Sequence, residues 1–310
     1  MKTTIALIVL FFLISCGGGG SGGSESTGIA KGEIIENAAD NNTAYTWYYY
    51  IPTTLAKGEK AYIVINSIQY DCDKNLNDEE TYSNIDGIKS LAESHKYILL
   101  FASIPKYCSG SADEYTLHFP DYVFDANTID EIFYRPDLKV IAMIDLLRAE
   151  LANSGYTVDQ KVFAFGYSIG GHFSNRFSLL QPNRVKAFAA GGLSGLITLP
   201  ITSYSNEDFY WYFGVSNFDA LVGDTFNRSA YDSIPQYYFW GENDLSPYHL
   251  DSYPAFRAIW GNDSAEALSN QCSFLQGEIS SVVCTEYAGI GHEWTNQELI
   301  DVFDFFSQNQ

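Results

Sequence analysis

A serine set between two glycines is the feature of this 310-residue chain that most directly indicates chemistry. The segment 166–170 reads G-Y-S-I-G; an apolar run at 162–165 precedes it and a stretch with helical spacing follows. A sharp turn from strand to helix crowds the backbone around the serine, so Gly166 and Gly170 are needed where side chains would clash. The pattern predicts Ser168 as an exposed nucleophile. It also predicts that the Ile169 amide, at the helix N-terminus, faces a developing oxyanion.

A serine hydroxyl is a poor nucleophile at neutral pH and requires a histidine base, which in turn requires a carboxylate to fix its tautomer. His292, in a glycine-containing loop after the last apolar run, is the predicted base. Asp244 follows the apolar run 236–240 and is the predicted acid, with Glu242 in the same loop as the alternative. These residues predict acyl transfer through a covalent intermediate on Ser168.

Two other histidines fit the base less well. His249 lies five residues beyond Asp244, where a surface position is expected, and His172 lies four residues after Ser168 on the following helix. A side chain on that helix turn would not approach the hydroxyl as a base, so we expect a packed, structural role for His172.

Strands and helices are predicted to alternate along the body of the chain. Several of the apolar runs lack polar alternation, which is typical of strands covered on both faces. The predicted strands are 45–51, 61–65, 97–102, 161–165, 187–190, 236–240 and 282–287, and the predicted helices are 85–94, 136–153, 169–180 and 299–306. This order predicts a single α/β domain with a doubly wound, mostly parallel sheet, whose functional loops lie at the carboxyl ends of the strands.

Four short segments together resemble the α/β-hydrolase superfamily, in particular its exported polyhydroxybutyrate depolymerases and feruloyl esterases. They are Y-Y-Y-I-P at 48–52, G-Y-S-I-G-G-H at 166–172, G-E-N-D at 241–244 and G-H-E-W at 291–294. The resemblance covers the chain from about residue 45 to the end. It implies the α/β-hydrolase fold, with Ser168 as nucleophile, His292 as base and Asp244 as orienting acid. We expect no metal or organic cofactor.

The resemblance fails after the second predicted strand. That branch usually has His-Gly there, contributing half of the oxyanion hole, whereas this chain has Asn66 and Ser67. A main-chain amide can still donate, because the donor does not depend on the side chain. We therefore expect the second donor to be the amide of Ser67 or Ile68.

The N-terminal region predicts export. Lys2 and the apolar run 5–14 are typical of a secretory signal, because the run is too short to span a membrane. Cys16 closes an L-I-S-C sequence that resembles a lipoprotein lipobox, and the Gly/Ser-rich segment after it is typical of a flexible tether. The predicted organisation is a signal peptide at 1–15, a tether at 16–32 and the hydrolase domain at 33–310. A lipid-anchored protein on the outer side of a membrane is expected, with a soluble secreted form as the alternative.

The four cysteines beyond Cys16 favour disulfides in an oxidising compartment. Sequence proximity favours Cys72 with Cys108 and Cys272 with Cys284, while free buried thiols remain the alternative. Metal binding is disfavoured because the chain has no CxxC pair or neighbouring histidine pair.

Composition limits the partners. The chain has 38 acidic and 17 basic residues, a formal net charge of -21, which disfavours nucleic acid and polyanionic substrates. A carboxylic ester, either a small molecule or a polymer such as a polyester or an acylated polysaccharide, is the expected substrate. Five aromatic residues lie in loops before and after the serine turn at 166–170, which we call the elbow. They are expected either to line an acyl or aryl pocket or to pack in the core: Tyr70, Tyr167, Trp211, Tyr212 and Trp294. The alternatives are a peptidase of related fold and a non-catalytic surface lipoprotein that binds glycans.

Overall fold

The computed structural model describes residues 29–68, 74–109, 112–114, 119–127, 130–245 and 254–310. The predicted signal peptide, Cys16 and most of the tether lie outside these residues. Cys72, Tyr70 and His249 also lie outside them, so the predicted Cys72–Cys108 pairing is not described.

Within the described residues, the core of the fold is a nine-stranded, mostly parallel sheet. Its path runs β1-β2-β4-β3-β8-β9-β12-β13, with the short β7 paired to β3, and only the β1-β2 and β2-β4 pairs are antiparallel. The strands are β1 Ile34–Asn37, β2 Trp47–Tyr50, β3 Lys60–Ile68, β4 Tyr97–Ser103, β7 Thr157–Val158, β8 Val162–Tyr167, β9 Val185–Gly191, β12 Gln236–Gly241 and β13 Val282–Tyr287. Two small hairpins lie outside the sheet, β5 Tyr107–Ser109 with β6 Ala112–Glu114 and β10 Ser203–Tyr204 with β11 Glu207–Asp208.

Helices cover both faces of this sheet. They are α1 Lys74–His95, α2 Pro136–Asn153, α3 Ile169–Leu180, α4 Phe218–Val222, α5 Arg228–Asp232, α6 Pro254–Trp260, α7 Ser264–Glu278 and α8 Asn296–Gln308. Side chains of α1 and α8 pack in one buried cluster, and side chains of α2, α3, α6 and α7 pack in the other. The predicted single-domain α/β fold with a mostly parallel sheet is confirmed.

Alternation along the strands creates the two clusters. In β4, Leu99 and Phe101 face the α1/α8 side, while Ile98 and Leu100 face the opposite side. Because both faces are covered, the strand is apolar throughout, which is why no polar alternation is visible in its sequence.

The C-terminal end of α1 is tied to the loop that follows β2. Glu93 accepts hydrogen bonds from the Tyr50 hydroxyl and from the backbone amides of Thr53 and Thr54. Burial alone would raise the pKa of Glu93, but these hydrogen bonds outweigh it and lower that pKa to about 2.

Several helices differ from the sequence prediction, which did not include α4, α5, α6 or α7. The helix predicted at 85–94 begins eleven residues earlier, at Lys74. The prediction missed this part because residues 74–84 are mostly polar and carry no apolar period. The helix α7 was not predicted, because its buried face contains Gln271, whose side chain hydrogen-bonds the main chain at Ile197 and Gly195. A buried glutamine satisfied by tertiary contacts interrupts the apolar spacing on which helix prediction depends.

One predicted disulfide is present. Cys272 in α7 is bonded to Cys284 in β13, which fixes the helix against the edge strand of the sheet. In the part of the chain that the structure describes, no helix is long and apolar enough to span a membrane.

Candidate active site

Ser168 occupies a strained turn between β8 and α3. Its backbone has φ 53° and ψ -119°, a conformation that non-glycine residues rarely adopt. A β-carbon at Gly166 would lie 2.2 Å from the carbonyl carbon of Gly170, and one at Gly171 would lie 2.4 Å from the Gly191 oxygen. At Gly170 the tightest approach would be 3.3 Å, so Gly166 and Gly171 are the glycines on which the close packing depends most.

The structure brings Ser168, His292 and Asp244 into one chain of hydrogen bonds. The His292 Nε2 and Ser168 Oγ atoms are 3.0 Å apart, and His292 Nδ1 lies 2.8 Å from Asp244 Oδ2. An ionised carboxylate can only accept, so Nδ1 carries the proton and donates to Asp244, which leaves Nε2 to accept from the serine hydroxyl. This is the arrangement in which imidazole can act as a general base toward Ser168.

Burial differs along this chain of hydrogen bonds. Asp244 is 1% exposed, whereas the His292 side chain is 37% exposed. The second carboxylate oxygen of Asp244, Oδ1, is buried and makes no hydrogen bond within the described residues. The acid is therefore held in a low-dielectric position with the imidazole as its described side-chain partner, which strengthens their interaction.

The loops that carry the acid and the base are joined through their main chains. They follow the neighbouring parallel strands β12 and β13, whose last paired residues are Gly241 and Tyr287. The Asn243 amide donates to the Ile290 oxygen at 2.8 Å, and a β-carbon at Gly241 would lie 2.3 Å from that same oxygen. Glycine at 241 therefore allows the two loops to approach closely.

Glu242, the alternative acid, has a different contact. Its Oε2 accepts a hydrogen bond of 2.8 Å from the Gly289 amide, in the loop that leads to His292. The structure therefore places Asp244 against the imidazole, while Glu242 braces the backbone of the histidine loop.

Tyr167 supports the imidazole from the side. Its ring centroid lies 5.3 Å from that of His292 and 6.4 Å from that of Trp294. A side chain at Gly192, which has φ 58°, would collide with the Tyr167 ring, so glycine there makes room for it. Burial, followed by the nearby Asp244, Glu298 and Glu293 carboxylates, raises the pKa of Tyr167, so its hydroxyl stays protonated around neutral pH.

A small cavity of about 170 Å³ lies beside the Ser168 turn and is lined by two of the predicted oxyanion-hole residues, Ser67 and Ile169. It is also lined by Asn66, Glu80, Asn84, Tyr167, Gly170 and Trp294. Ser67 is fully buried and its hydroxyl donates to the Ala102 oxygen, so the side chain is occupied and only its main chain remains for the site. Ile68, the other predicted donor, is the last residue of β3.

The other predicted site residues lie in different surroundings. Trp211 and Tyr212 line a separate aromatic cavity of about 550 Å³, and the Trp211 indole donates to the Phe119 oxygen. His172 is 1% exposed on α3, in keeping with a packed role. Among the described residues, no cluster of three or more His, Cys, Asp or Glu side chains is suited to hold a metal ion.

Three residues of the cavity were not predicted from the sequence: Asn66, Glu80 and Asn84. Glu80 and Asn84 are four residues apart on α1, and the Asn84 amide donates to the Glu80 carboxylate at 3.0 Å. The i, i+4 spacing of an acid and an amide was a signal that could have paired them, but nothing in the sequence places α1 against the elbow.

Comparison with solved structures identifies the fold as that of the α/β hydrolases. The poly(3-hydroxybutyrate) depolymerase LpqC from Bordetella parapertussis is similar at 18% identity and a TM-score of 0.55, covering 89% of this chain and 90% of its own. Poly(aspartic acid) hydrolase-1 from Sphingomonas sp. KT-1 is similar at 17% identity and a TM-score of 0.54, with 85% and 92% covered. An acetyl xylan esterase from Aspergillus awamori has 17% identity and a TM-score of 0.50, with 88% and 100% covered.

Comparisons of the sequence alone find no relative. No protein-family model matches the sequence, and no curated protein matches it significantly.

Proposed function

We propose that this protein is a serine hydrolase that cleaves carboxylic esters through an acyl-enzyme on Ser168. The observation that carries the proposal is the continuous chain of hydrogen bonds from Ser168 Oγ through His292 to Asp244, at 3.0 and 2.8 Å. The hydrolase fold and the strained serine turn support it.

The reaction proceeds in two half-reactions. Ser168 Oγ attacks the ester carbonyl carbon while its proton passes to His292 Nε2, and the carbonyl oxygen becomes an oxyanion. When the oxyanion collapses, the bond to the alcohol oxygen breaks and His292 returns the proton to the departing alcohol. Water then attacks the acyl-enzyme, with His292 again taking and returning the proton, and the carboxylic acid leaves. Asp244 stabilises the imidazolium that exists between these steps.

Backbone amides are the proposed donors to the oxyanion. The Ile169 amide at the start of α3 is one, and the amide of Ser67 or Ile68 is the second. Each donor of this kind stabilises a transition state by about 2.7 to 4 kcal/mol. The Asn-Ser pair in place of the usual His-Gly still offers main-chain donors, so we expect it to affect efficiency and substrate range more than the mechanism.

The net charge of the chain bears on the substrate class. A formal charge of -21 repels polyanions, so esters of the polyester, feruloyl or acetyl type are favoured over anionic polymers. No metal or organic cofactor is needed for the proposed steps.

The test is the Ser168→Ala variant, assayed with p-nitrophenyl acetate and butyrate. Turnover should fall by about 10⁶-fold, while a Ser94→Ala control on the exposed side of α1 should match the wild type. A fluorophosphonate probe should label the wild type and the control but not Ser168→Ala. Equal ester turnover by Ser168→Ala would refute the proposal and favour a non-catalytic binding protein.

Amide cleavage is a second candidate activity, favoured by the similarity to poly(aspartic acid) hydrolase-1. It can be compared directly by assaying p-nitroanilides with the same acyl groups. A kcat/KM for the anilide equal to or above that of the ester would assign the protein to amide hydrolysis.

We also propose that the mature protein is exported and anchored through a lipid on Cys16. The support is the charged start, the short apolar run and the L-I-S-C sequence. A Cys16→Ser precursor should leave the membrane fraction, and continued partition of that variant with membranes would contradict the anchor.

A further inference from the structure

The cavity beside Ser168 contains a buried polar group with an unmet hydrogen bond. Asn66 is 3% exposed, and its Oδ1 has no hydrogen-bond partner in the part of the chain that the structure describes. A methyl group placed on Gly170 would lie 3.3 Å from this oxygen and 3.3 Å from the Ser67 oxygen, so both oxygens lie directly beside the serine turn. A buried acceptor left without a donor costs about 1–3 kcal/mol, which a donor from a bound ligand would recover.

Glu80 adds a negative charge to the same cavity. The Asn84 side-chain amide donates both to its carboxylate, at 3.0 Å, and to its main-chain oxygen, at 2.8 Å. Among the side chains that the structure describes, Glu80 forms no ion pair with a Lys, Arg or His. The Asn84 amide thus fixes the carboxylate in place but does not neutralise it.

Aromatic rings complete the cavity. Tyr167 and Trp294 both line it. The face of an aromatic ring attracts a cation through its quadrupole. The cavity therefore combines one buried oxygen acceptor at Asn66, one fixed negative charge and two aromatic rings.

We propose that this cavity is a subsite for an alkylammonium group carried by the acyl or alcohol part of the ester substrate. An ammonium supplies three donors and one positive charge, which matches Asn66 Oδ1, the Glu80 carboxylate and the aromatic faces together. A hydroxyl supplies one donor and leaves the carboxylate without a counter-charge. The subsite rests on the proposed ester hydrolysis at Ser168 and names the substrate class for that same site.

The test uses three p-nitrophenyl esters that differ only at the end of the acyl chain: butanoate, 3-hydroxypropanoate and protonated 3-aminopropanoate. The wild type should prefer the ammonium ester to the butanoate by at least about tenfold in kcat/KM, with the hydroxy ester between them. Glu80→Gln keeps an acceptor for Asn84 but removes the charge. It should lower this preference by about ten- to hundredfold, as expected for a charged hydrogen bond.

The matched control is Glu79→Gln, the same change at the adjacent, exposed position of α1. It should leave the preference at the wild-type value. Raising the salt concentration should lower the wild-type preference for the ammonium ester only slightly. The reason is that the cavity partly shields the pair of ammonium group and Glu80 carboxylate from dissolved ions. A preference near one, a hydroxy ester favoured over the ammonium ester, or an unchanged preference in Glu80→Gln would each overturn the subsite.

A binding measurement separates this proposal from the proposed function. Propylammonium chloride is titrated into wild type and Glu80→Gln by calorimetry, with 1-propanol as the neutral comparison. If no ester is cleaved but propylammonium binds the wild type more tightly than Glu80→Gln, the hydrolase proposal fails and the cation site stands. If esters are cleaved at Ser168 but propylammonium binding does not depend on Glu80, the hydrolase proposal stands and the subsite fails.

Discussion

Replacing Asp244 by asparagine should change the catalytic rate and the stability of the protein in different directions. The carboxylate lies 2.8 Å from His292 Nδ1, and the imidazole lies 3.0 Å from Ser168 on its other side. If the asparagine amide faces Nδ1 with its N–H, the imidazole proton moves to Nε2, which can no longer accept from the serine. If it faces Nδ1 with its oxygen, the tautomer survives but the imidazolium loses its counter-charge.

Either orientation predicts a large loss of kcat. We expect Asp244→Asn to lower kcat by about 10⁴-fold, equivalent to about 5.4 kcal/mol at 1.36 kcal/mol per tenfold change. The KM for p-nitrophenyl butanoate should change little, because Asp244 is 1% exposed and lies behind the imidazole. Steady-state kinetics on wild type and variant measure both quantities.

Stability should change in the opposite direction. The Asp244 carboxylate is buried with one oxygen unpaired in the described structure, so its charge is costly to desolvate. A neutral amide of the same shape removes that cost, and the Tm of Asp244→Asn should equal or exceed that of the wild type. Glu242→Gln is the control. A kcat of Asp244→Asn within tenfold of the wild type would refute Asp244 as the orienting acid, and so would a larger loss of kcat in Glu242→Gln than in Asp244→Asn.

Four further substitutions test the fold. Gly166→Ala should abolish soluble expression, because its β-carbon would lie 2.2 Å from main-chain atoms, whereas Gly87→Ala in α1 meets nothing within 4 Å and should stabilise by about 0.5–1 kcal/mol in denaturant unfolding. Cys272→Ser should lower the free energy of unfolding by about 3 kcal/mol without reductant, because the bond to Cys284 is lost; a variant as stable as the wild type under non-reducing conditions would contradict this. The pKa of Glu93 is about 2 in the fold against an ordinary 4.5, so its contribution is complete above pH 4.5 and lost as the pH falls toward 2. Glu93→Gln should flatten the free energy of unfolding across that interval, and an unchanged acid slope would show that the carboxylate does not contribute.

Sequence patterns predicted the parallel sheet and the residues that meet at its edge. The elbow serine, the acid loop and the histidine loop each follow an apolar strand, and parallel strands deliver their carboxyl ends to one edge. The choice between Asp244 and Glu242 could not be made that way, because both carboxylates follow the same strand. Their contacts distinguish them: Asp244 meets the His292 imidazole, whereas Glu242 accepts from the Gly289 amide.

The cavity residues show where sequence reasoning ends. Asn66 was noted only as a departure from a usual His-Gly pair, and Glu80 lies on the polar half of α1, where no periodic signal exists. Their proximity to the elbow arises from how α1 packs beside β3 and β4. Trp211 was predicted either as pocket or as core; its burial and its hydrogen bond to Phe119 depend on a segment between β9 and β12 that carries no regular pattern.

The main-chain hydrogen bond from Asn243 to Ile290, which glycine at 241 makes room for, affects how a protein of this kind can change its substrate. The acid and the imidazole are held to each other by backbone geometry, independently of the residues that would recognise a substrate. Under the proposed function, substitutions at Glu80 and Asn84 of α1 would change the choice of ester while Asp244, His292 and Ser168 keep their alignment. New substrate preferences could then arise from substitutions at a few positions of α1, while the loops that carry Asp244 and His292 stay unchanged.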